Sequence, residues 1–172
     1  MSAETITTAL FLITAVVASA VLINAVYPVI QTMAGTFSSS THESDVRIRT
    51  DFKIIATASS ESSGTAQVWM KNIGSERISR AEINRSDVFC GPVGYFDHLA
   101  YHDVEPGNLE EGEWTEEFGT GYDLNKNSFW DPGETLKVTA KPEKPIRSDN
   151  NVYFQFALPN GIWRSNEFRA SD

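Results

Sequence analysis

Apolar and polar positions divide the chain into two regimes. From Thr5 to Thr41 no Asp, Glu, Lys or Arg occurs, and the most apolar stretch runs from Ala9 to Ile30. As a helix that stretch measures about 33 Å, against a bilayer core of about 30 Å, so it predicts one membrane-spanning helix. Gln31 to Thr41 is small and polar and reads as a frayed helix end and linker. From Arg47 the period changes to two. Ile48, Phe52 and Ile54 alternate with Arg47, Arg49, Asp51 and Lys53, the pattern of a half-buried strand. Comparable runs follow at Thr65 to Asn72, Ala81 to Cys90, Leu136 to Ala140 and Val152 to Leu158, with no helical period among them. Turn signals separate them, including Asn72-Ile73-Gly74-Ser75, Asp131-Pro132-Gly133 and Pro159-Asn160-Gly161. Asn160-Gly161 predicts a two-residue hairpin turn. The expected organisation is an N-terminal helix and linker over 1–40, then a mainly β domain over 41–172, an antiparallel immunoglobulin-like sandwich.

The helix carries more than an anchor needs. Ala15, Ala18, Ser19, Ala20 and Ala25 are small, and Thr14 and Asn24 place polar groups at membrane depth. Small residues let helix backbones approach closely, and polar side chains hydrogen-bond across helices. Ala15, Ala18, Ser19 and Asn24 are therefore candidate assembly residues, implying a homo-oligomer formed through this helix. Plain helix propensity explains the alanines equally well in a monomeric anchor. Pro28 predicts a kink near the membrane interface, where Tyr27 suits the aromatic belt. Nothing basic precedes the apolar run, and Glu4 is acidic, so the segment is expected to be retained rather than cleaved as a signal peptide.

Charge narrows the function classes. The formal net charge is −9. Leaving out Glu4, 22 acidic residues face 14 basic ones in the remainder, a balance of −8. With no basic stripe to neutralise phosphates, nucleic acid is excluded as a partner. The acids Glu105, Glu110, Glu111, Glu113, Glu116 and Glu117 read as a solvated face. Cys90 is the only cysteine, so no intrachain disulfide forms, and its place in Val88-Phe89-Cys90-Gly91 suggests a small buried residue.

The best local motif runs from Asp123 to Glu134. Asp123, Asn125, Asn127, Asp131 and Glu134 put side-chain oxygens at the first, third, fifth, ninth and twelfth positions of an EF-hand loop, with the Phe129 carbonyl at the seventh. A hard cation needs convergent oxygens, so this set predicts Ca2+. Ser128 stands where the loop glycine belongs, and Pro132-Gly133 leads into a strand instead of a helix. A hairpin loop built on Asp and Asn side-chain turns is the other reading. His98 and His102 lack the further ligands that zinc requires. Asn84-Arg85-Ser86 is a glycosylation sequon, with Asn84 the acceptor. No phosphate-binding glycine loop, zinc-protease helix or nucleophile elbow occurs, so no enzymatic activity is expected. Trp114 and Trp163 are candidate exposed aromatics for partner contact.

Five blocks carry a family resemblance. They are Glu4-Thr5-Ile6-Thr7-Thr8-Ala9, Asn24-Ala25-Val26-Tyr27-Pro28-Val29, Arg47-Ile48-Arg49-Thr50-Asp51-Phe52-Lys53-Ile54, Val68-Trp69-Met70-Lys71-Asn72-Ile73-Gly74 and Pro132-Gly133-Glu134-Thr135-Leu136. Together they resemble the archaellum accessory protein G family over nearly the whole chain. The resemblance implies a stator component of the archaellum motor, working with a sister protein F and tying the machinery to a surface-layer protein. It also implies pilin-like assembly through the N-terminal helix and a C-terminal domain outside the cytoplasm. A pilin- or archaellin-like filament subunit is the competing reading. Archaellin precursors carry a short basic leader that is absent here, which favours the accessory protein. A surface hydrolase is a third class, opposed by the missing catalytic set.

Overall fold

The computed structural model describes residues 2–117 and 127–170. It divides into two compact units, Met1–Asp45 and Val46–Asp172. Helix α1 spans Ser2–Arg49 and runs through Pro28. Among the described residues it is the one helix long and apolar enough to cross a membrane, and none of its apolar window is buried. The linker expected from Gln31 to Thr41 is helical instead. The Thr32, Thr36 and Thr41 hydroxyls donate to the carbonyls of Pro28, Thr32 and Phe37, at 2.9, 2.9 and 2.7 Å. Residues that signal a loop by competing for the backbone here bond back along the helix, which absorbs that competition.

The strand expected from Arg47 also begins later. Val46–Arg49 forms the last turn of α1, and Thr50 closes it with both its amide (3.0 Å) and its hydroxyl (2.7 Å) on the Val46 carbonyl. The alternation across Ile48 is therefore no strand signal, and Ile48 is 83% exposed.

The second unit is mainly β, as expected. Its strands are β1 (Phe52–Ser60), β2 (Thr65–Asn72), β3 (Ile78–Ser79), β4 (Asp87–Pro92), β5 (Asp97–Tyr101), β6 (Glu113–Glu117), β7 (Phe129–Trp130), β8 (Thr135–Lys141), β9 (Asn151–Ala157) and β10 (Trp163–Arg169). Eight form one sheet in the order β1-β2-β8-β6-β5-β4-β9-β10, and β3 and β7 form a separate ribbon. Every pairing is antiparallel except β5 with β6. That parallel pair, reached through the turn at Pro106–Asn108, is a feature the sequence did not signal.

Inward positions match the period-two pattern. Ala66, Val68 and Met70 of β2, Leu136, Val138 and Ala140 of β8, and Val152, Phe154 and Phe156 of β9 are all 0% exposed. Phe156 anchors the core aromatics, edge-on to Phe52 at 5.6 Å and to Trp114 at 6.0 Å between ring centroids. Burial of each such side chain stabilises by about 2–3 kcal/mol.

The run from Ala81 to Cys90 divides. Arg80–Ile83 is a short helix, α2, opened by a capping box in which the Ser79 hydroxyl accepts the Glu82 amide and the Glu82 carboxylate accepts the Ser79 amide. The Ser-x-x-Glu spacing is a helix-start signal hidden inside an alternating pattern. The hairpin after β9 exists, but its loop has three residues. Gly161 donates to the Leu158 carbonyl and Leu158 to that of Ile162, both at 2.9 Å. Pro159 fits the first corner, and Gly161 (φ 79°) takes the left-handed position.

Candidate functional site

The turn after β2 grips the chain where the helix gives way to the sheet. Ile73 and Gly74 donate to the Asp51 carbonyl at 3.0 and 2.9 Å, and Ser75 and Glu76 donate to that of Arg49 at 2.9 and 3.2 Å. A helix leaves its last carbonyls unsatisfied, and the turn supplies the donors. The approach is so close that a Cβ on Gly74 would lie 2.4 Å from the Arg49 carbonyl oxygen. Asn72, fully buried, holds the turn from beneath. Its Nδ2 donates to the carbonyls of Glu76 and Trp130, each at 2.9 Å, and its Oδ1 accepts the Gly74 amide at 3.0 Å. The Trp130 indole in turn donates to the Glu134 carbonyl at 2.9 Å. One side chain thus links the helix end to the loop before β8. Sequence reasoning read Asn72-Ile73-Gly74 only as a turn; the signal for more was an Asn, able to serve three partners, at the buried end of a strand.

Along α1, Ala15, Ala18, Ser19 and Asn24 are all exposed. At about 100° per residue, Ala15, Ala18 and Ser19 share one sector and Asn24 falls on the opposite side. The four therefore do not form a single stripe. The Ser19 hydroxyl donates to the Ala15 carbonyl at 2.7 Å, and that of Thr14 to the Leu10 carbonyl, which satisfies both inside the helix.

Of the proposed calcium ligands, Asp123 and Asn125 lie outside the described residues. Ser128 has φ 63°, the left-handed conformation that the missing glycine supplies in an EF-hand. Asn127 Oδ1 accepts the Phe129 amide at 2.8 Å, and its Nδ2 donates to Asp131 at 2.7 Å. Glu134 is 5% exposed and its carboxylate accepts the Asp131 amide at 3.0 Å. The structure thus brings Asn127, Phe129, Asp131 and Glu134 into one loop, with side-chain turns of the kind the competing reading anticipates. Among the described residues no group of three or more His, Cys, Asp or Glu is placed to hold a metal ion.

The sequon lies at the end of α2. Asn84 is the half-buried C-cap, and the Ser86 hydroxyl donates to the Glu82 carbonyl at 3.0 Å. His98 and His102 are separated by their partners, Asp87 at 2.9 Å and Glu113 at 3.4 Å. Cys90 is buried, and burial pushes its thiol up to about 12.

A buried carboxylate, paired with a half-exposed arginine, lies where an exposed acidic face was expected. The Glu116 side chain is fully buried and accepts from Arg80 Nε at 2.6 Å and the Tyr101 hydroxyl at 3.0 Å. The hydrogen bond to Glu116 raises the Arg80 pKa, and burial, followed by the charge of Glu116, pushes the Tyr101 hydroxyl up. Arg80 also reaches Asp103 at 3.0 Å. Glu117 pairs with Lys137 at 2.6 Å.

The exposed aromatics are redistributed as well. Trp114 is 0% exposed and belongs to the core, whereas Trp163 is 53% exposed on β10. Trp114 lies in β6, whose three central residues Trp114, Thr115 and Glu116 are all buried, so neither face of that stretch is open. Val93, Tyr95 and Phe96, between β4 and β5, add an exposed apolar group.

Among solved structures, the chain is similar to the archaellum periplasmic stator protein FlaG of Sulfolobus acidocaldarius. The TM-score is 0.53 at 23% identity, covering 69% of this chain and 99% of that one. A structure of the FlaF and FlaG stator complex from the same organism gives a TM-score of 0.51 at 23% identity, covering 68% and 87%. These likenesses establish the shared fold. An uncharacterized protein of Archaeoglobus fulgidus is 27% identical over 171 residues, 98% of each chain. The profile of archaeal-type flagellins matches residues 2–168. With that match running from the start of α1 into β10, the chain belongs to the archaeal-type flagellin family.

Proposed function

We propose that the chain is a non-enzymatic stator element of the archaellum. On this reading α1 anchors it once in the cell membrane, and the β unit works outside the cytoplasm, linking the motor to the envelope. Its partners are a protein F, a surface-layer protein, and further copies assembled through α1. The observation that supports it best is a FlaG-like β fold behind a helix able to cross a membrane. The FlaF and FlaG complex supports a protein F as the partner class. The grip of residues 73–76 on Arg49 and Asp51 suits a part that carries load. The same reading gives the loop from Asp123 to Glu134 a structural Ca2+, supported by the left-handed Ser128, and gives Asn84 an N-linked glycan. Deletion of the gene tests the role: cells should assemble filaments and fail to swim, and normal swimming would overturn it.

The match to archaeal-type flagellins favours one second reading, a filament subunit. Purified filaments separate the two. A stator element is absent from sheared filaments, and a subunit is their main component.

A further inference from the structure

Within the second unit, the last turn of α1 and the start of β10 form an open groove of about 490 Å3, lined by Arg47, Gly161, Ile162, Trp163, Arg164 and Ser165. The bare Gly161 leaves room for Arg47, since a Cβ there would lie 3.8 Å from the Arg47 Nη2. Arg164 pairs with Asp51 and lies 5.9 Å from the Phe52 ring centroid, so β10 closes against the start of β1 and bounds the groove. The Arg164 side chain is still 45% exposed, and Trp163 is 53% exposed.

Arg47 serves no contact inside the fold. A basic residue in a last helical turn answers the helix dipole and can hydrogen-bond the final carbonyls. Here the carbonyls of Val46 and Arg49 already accept from Thr50, Ser75 and Glu76. Among the described residues the Arg47 guanidinium makes no ion pair or hydrogen bond. A free guanidinium fork therefore shares one groove with an exposed indole ring, a second guanidinium and the Ser165 hydroxyl. Trp and Arg are the side chains that carry most of the energy of protein interfaces.

We infer that this groove binds an acidic segment of a partner protein, one in which a carboxylate adjoins an apolar side chain. Arg47 takes the carboxylate in a two-pronged bond, and the Trp163 ring takes the apolar neighbour. The net charge of −9 selects a short segment over a long polyanion, because the surface beyond the groove repels the latter. The site stands independently of the stator reading and is separate from assembly through α1.

Fluorescence polarisation of labelled peptides tests the site, with the full chain in lipid nanodiscs and empty nanodiscs as the blank. The probe is a capped peptide of alternating glutamate and phenylalanine. A glutamine and phenylalanine peptide lacks its charge, and a glutamate and glycine peptide lacks its rings. The probe should bind, and each control should bind about tenfold more weakly, as the loss of one charge-assisted bond or one ring contact implies. Arg47→Gln and Trp163→Ser should each weaken the probe by about tenfold as well, and neither side chain is needed for folding. Lys53→Gln removes the same charge from an exposed position on β1 and should leave binding within about twofold. The inference is overturned if the probe does not bind, or if it binds either groove variant as tightly as the parent. Equal weakening by Lys53→Gln overturns it too, because the attraction would then be to overall charge. Tighter binding of hyaluronate, an acidic sugar chain, with the same loss in Arg47→Gln would overturn it in favour of a glycan.

Discussion

Replacing Gly74 by alanine tests the grip between the turn after β2 and the end of α1. An added Cβ would meet the Arg49 carbonyl oxygen at 2.4 Å, the Asp51 amide nitrogen at 2.6 Å and the Thr50 carbonyl carbon at 3.2 Å. All three are backbone atoms, so no side-chain rotation relieves the contact. The turn must withdraw by about 1 Å to reach ordinary contact distance, and the bonds at risk are the four from Ile73, Gly74, Ser75 and Glu76 to Asp51 and Arg49. With two to four lost at about 1 kcal/mol each, the cost is about 2–4 kcal/mol. That is a large part of the 5–15 kcal/mol typical of a whole domain, and it corresponds to a fall in melting temperature of about 8–16 °C.

The assay is thermal melting of the unit from Val46 onward, with amide exchange read at residues 73–76. Gly64→Ala is the control. Its φ is 65°, but no atom lies within 4 Å of the added Cβ, so only left-handed backbone strain of about 1–2 kcal/mol applies. Gly74→Ala should therefore melt well below Gly64→Ala and should exchange faster at the turn. If it melts within about 2 °C of the parent, the close approach does not constrain the junction and the reasoning fails.

Other outcomes follow from the same geometry. Asn72→Asp turns a donor amide into a carboxylate facing the Glu76 and Trp130 carbonyls, and it should cost more than 3 kcal/mol in a chemical melt, reflecting an unpaired buried charge. Burial raises Cys90 from 9.0 to about 12, so the stability tied to its neutral thiol is complete below pH 9 and is lost as pH rises towards 12. The decline should approach about 1.4 kcal/mol per pH unit and be shallower in Cys90→Ala, as measured by urea melts between pH 8 and 11. Calorimetric titration of the β unit with Ca2+ should release heat that Asp131→Ala abolishes; no heat and no change in melting temperature would reduce the loop to its side-chain turns. Removing residues 1–45 should leave a folded β unit that no longer forms the oligomers of the full chain, and the same oligomers in that fragment would refute assembly through α1.

The sequence revealed the division of the chain because the signals on either side differ in kind. A run free of charge and long enough for a bilayer is unlike the alternation that follows it, and strands such as β2, β8 and β9 appear in the period of their apolar residues because each buries one face. Boundaries failed where a local signal had two physical outcomes. Thr32, Thr36 and Thr41 turn their hydroxyls to the helix backbone as readily as to a loop, and only the extent of the helix decides between them. Ser79 and Glu82 form a capping box that alternation concealed, since a single turn of helix inside an alternating run barely changes its period.

Candidate sites were legible only as far as they were local. The motif from Asp123 to Glu134 could be singled out because its spacing lies along the chain, and Ser128, at its sixth position, takes a left-handed conformation usually left to glycine. The Asn72 cluster and the Glu116 pair are assembled from distant segments: Asn72 reaches Trp130, and Arg80 reaches Glu116. Nothing in the spacing of those residues marks them. Burial is the missing variable, because a carboxylate counted among six exposed acids becomes a structural group once β6 turns it inward against Arg80 and Tyr101.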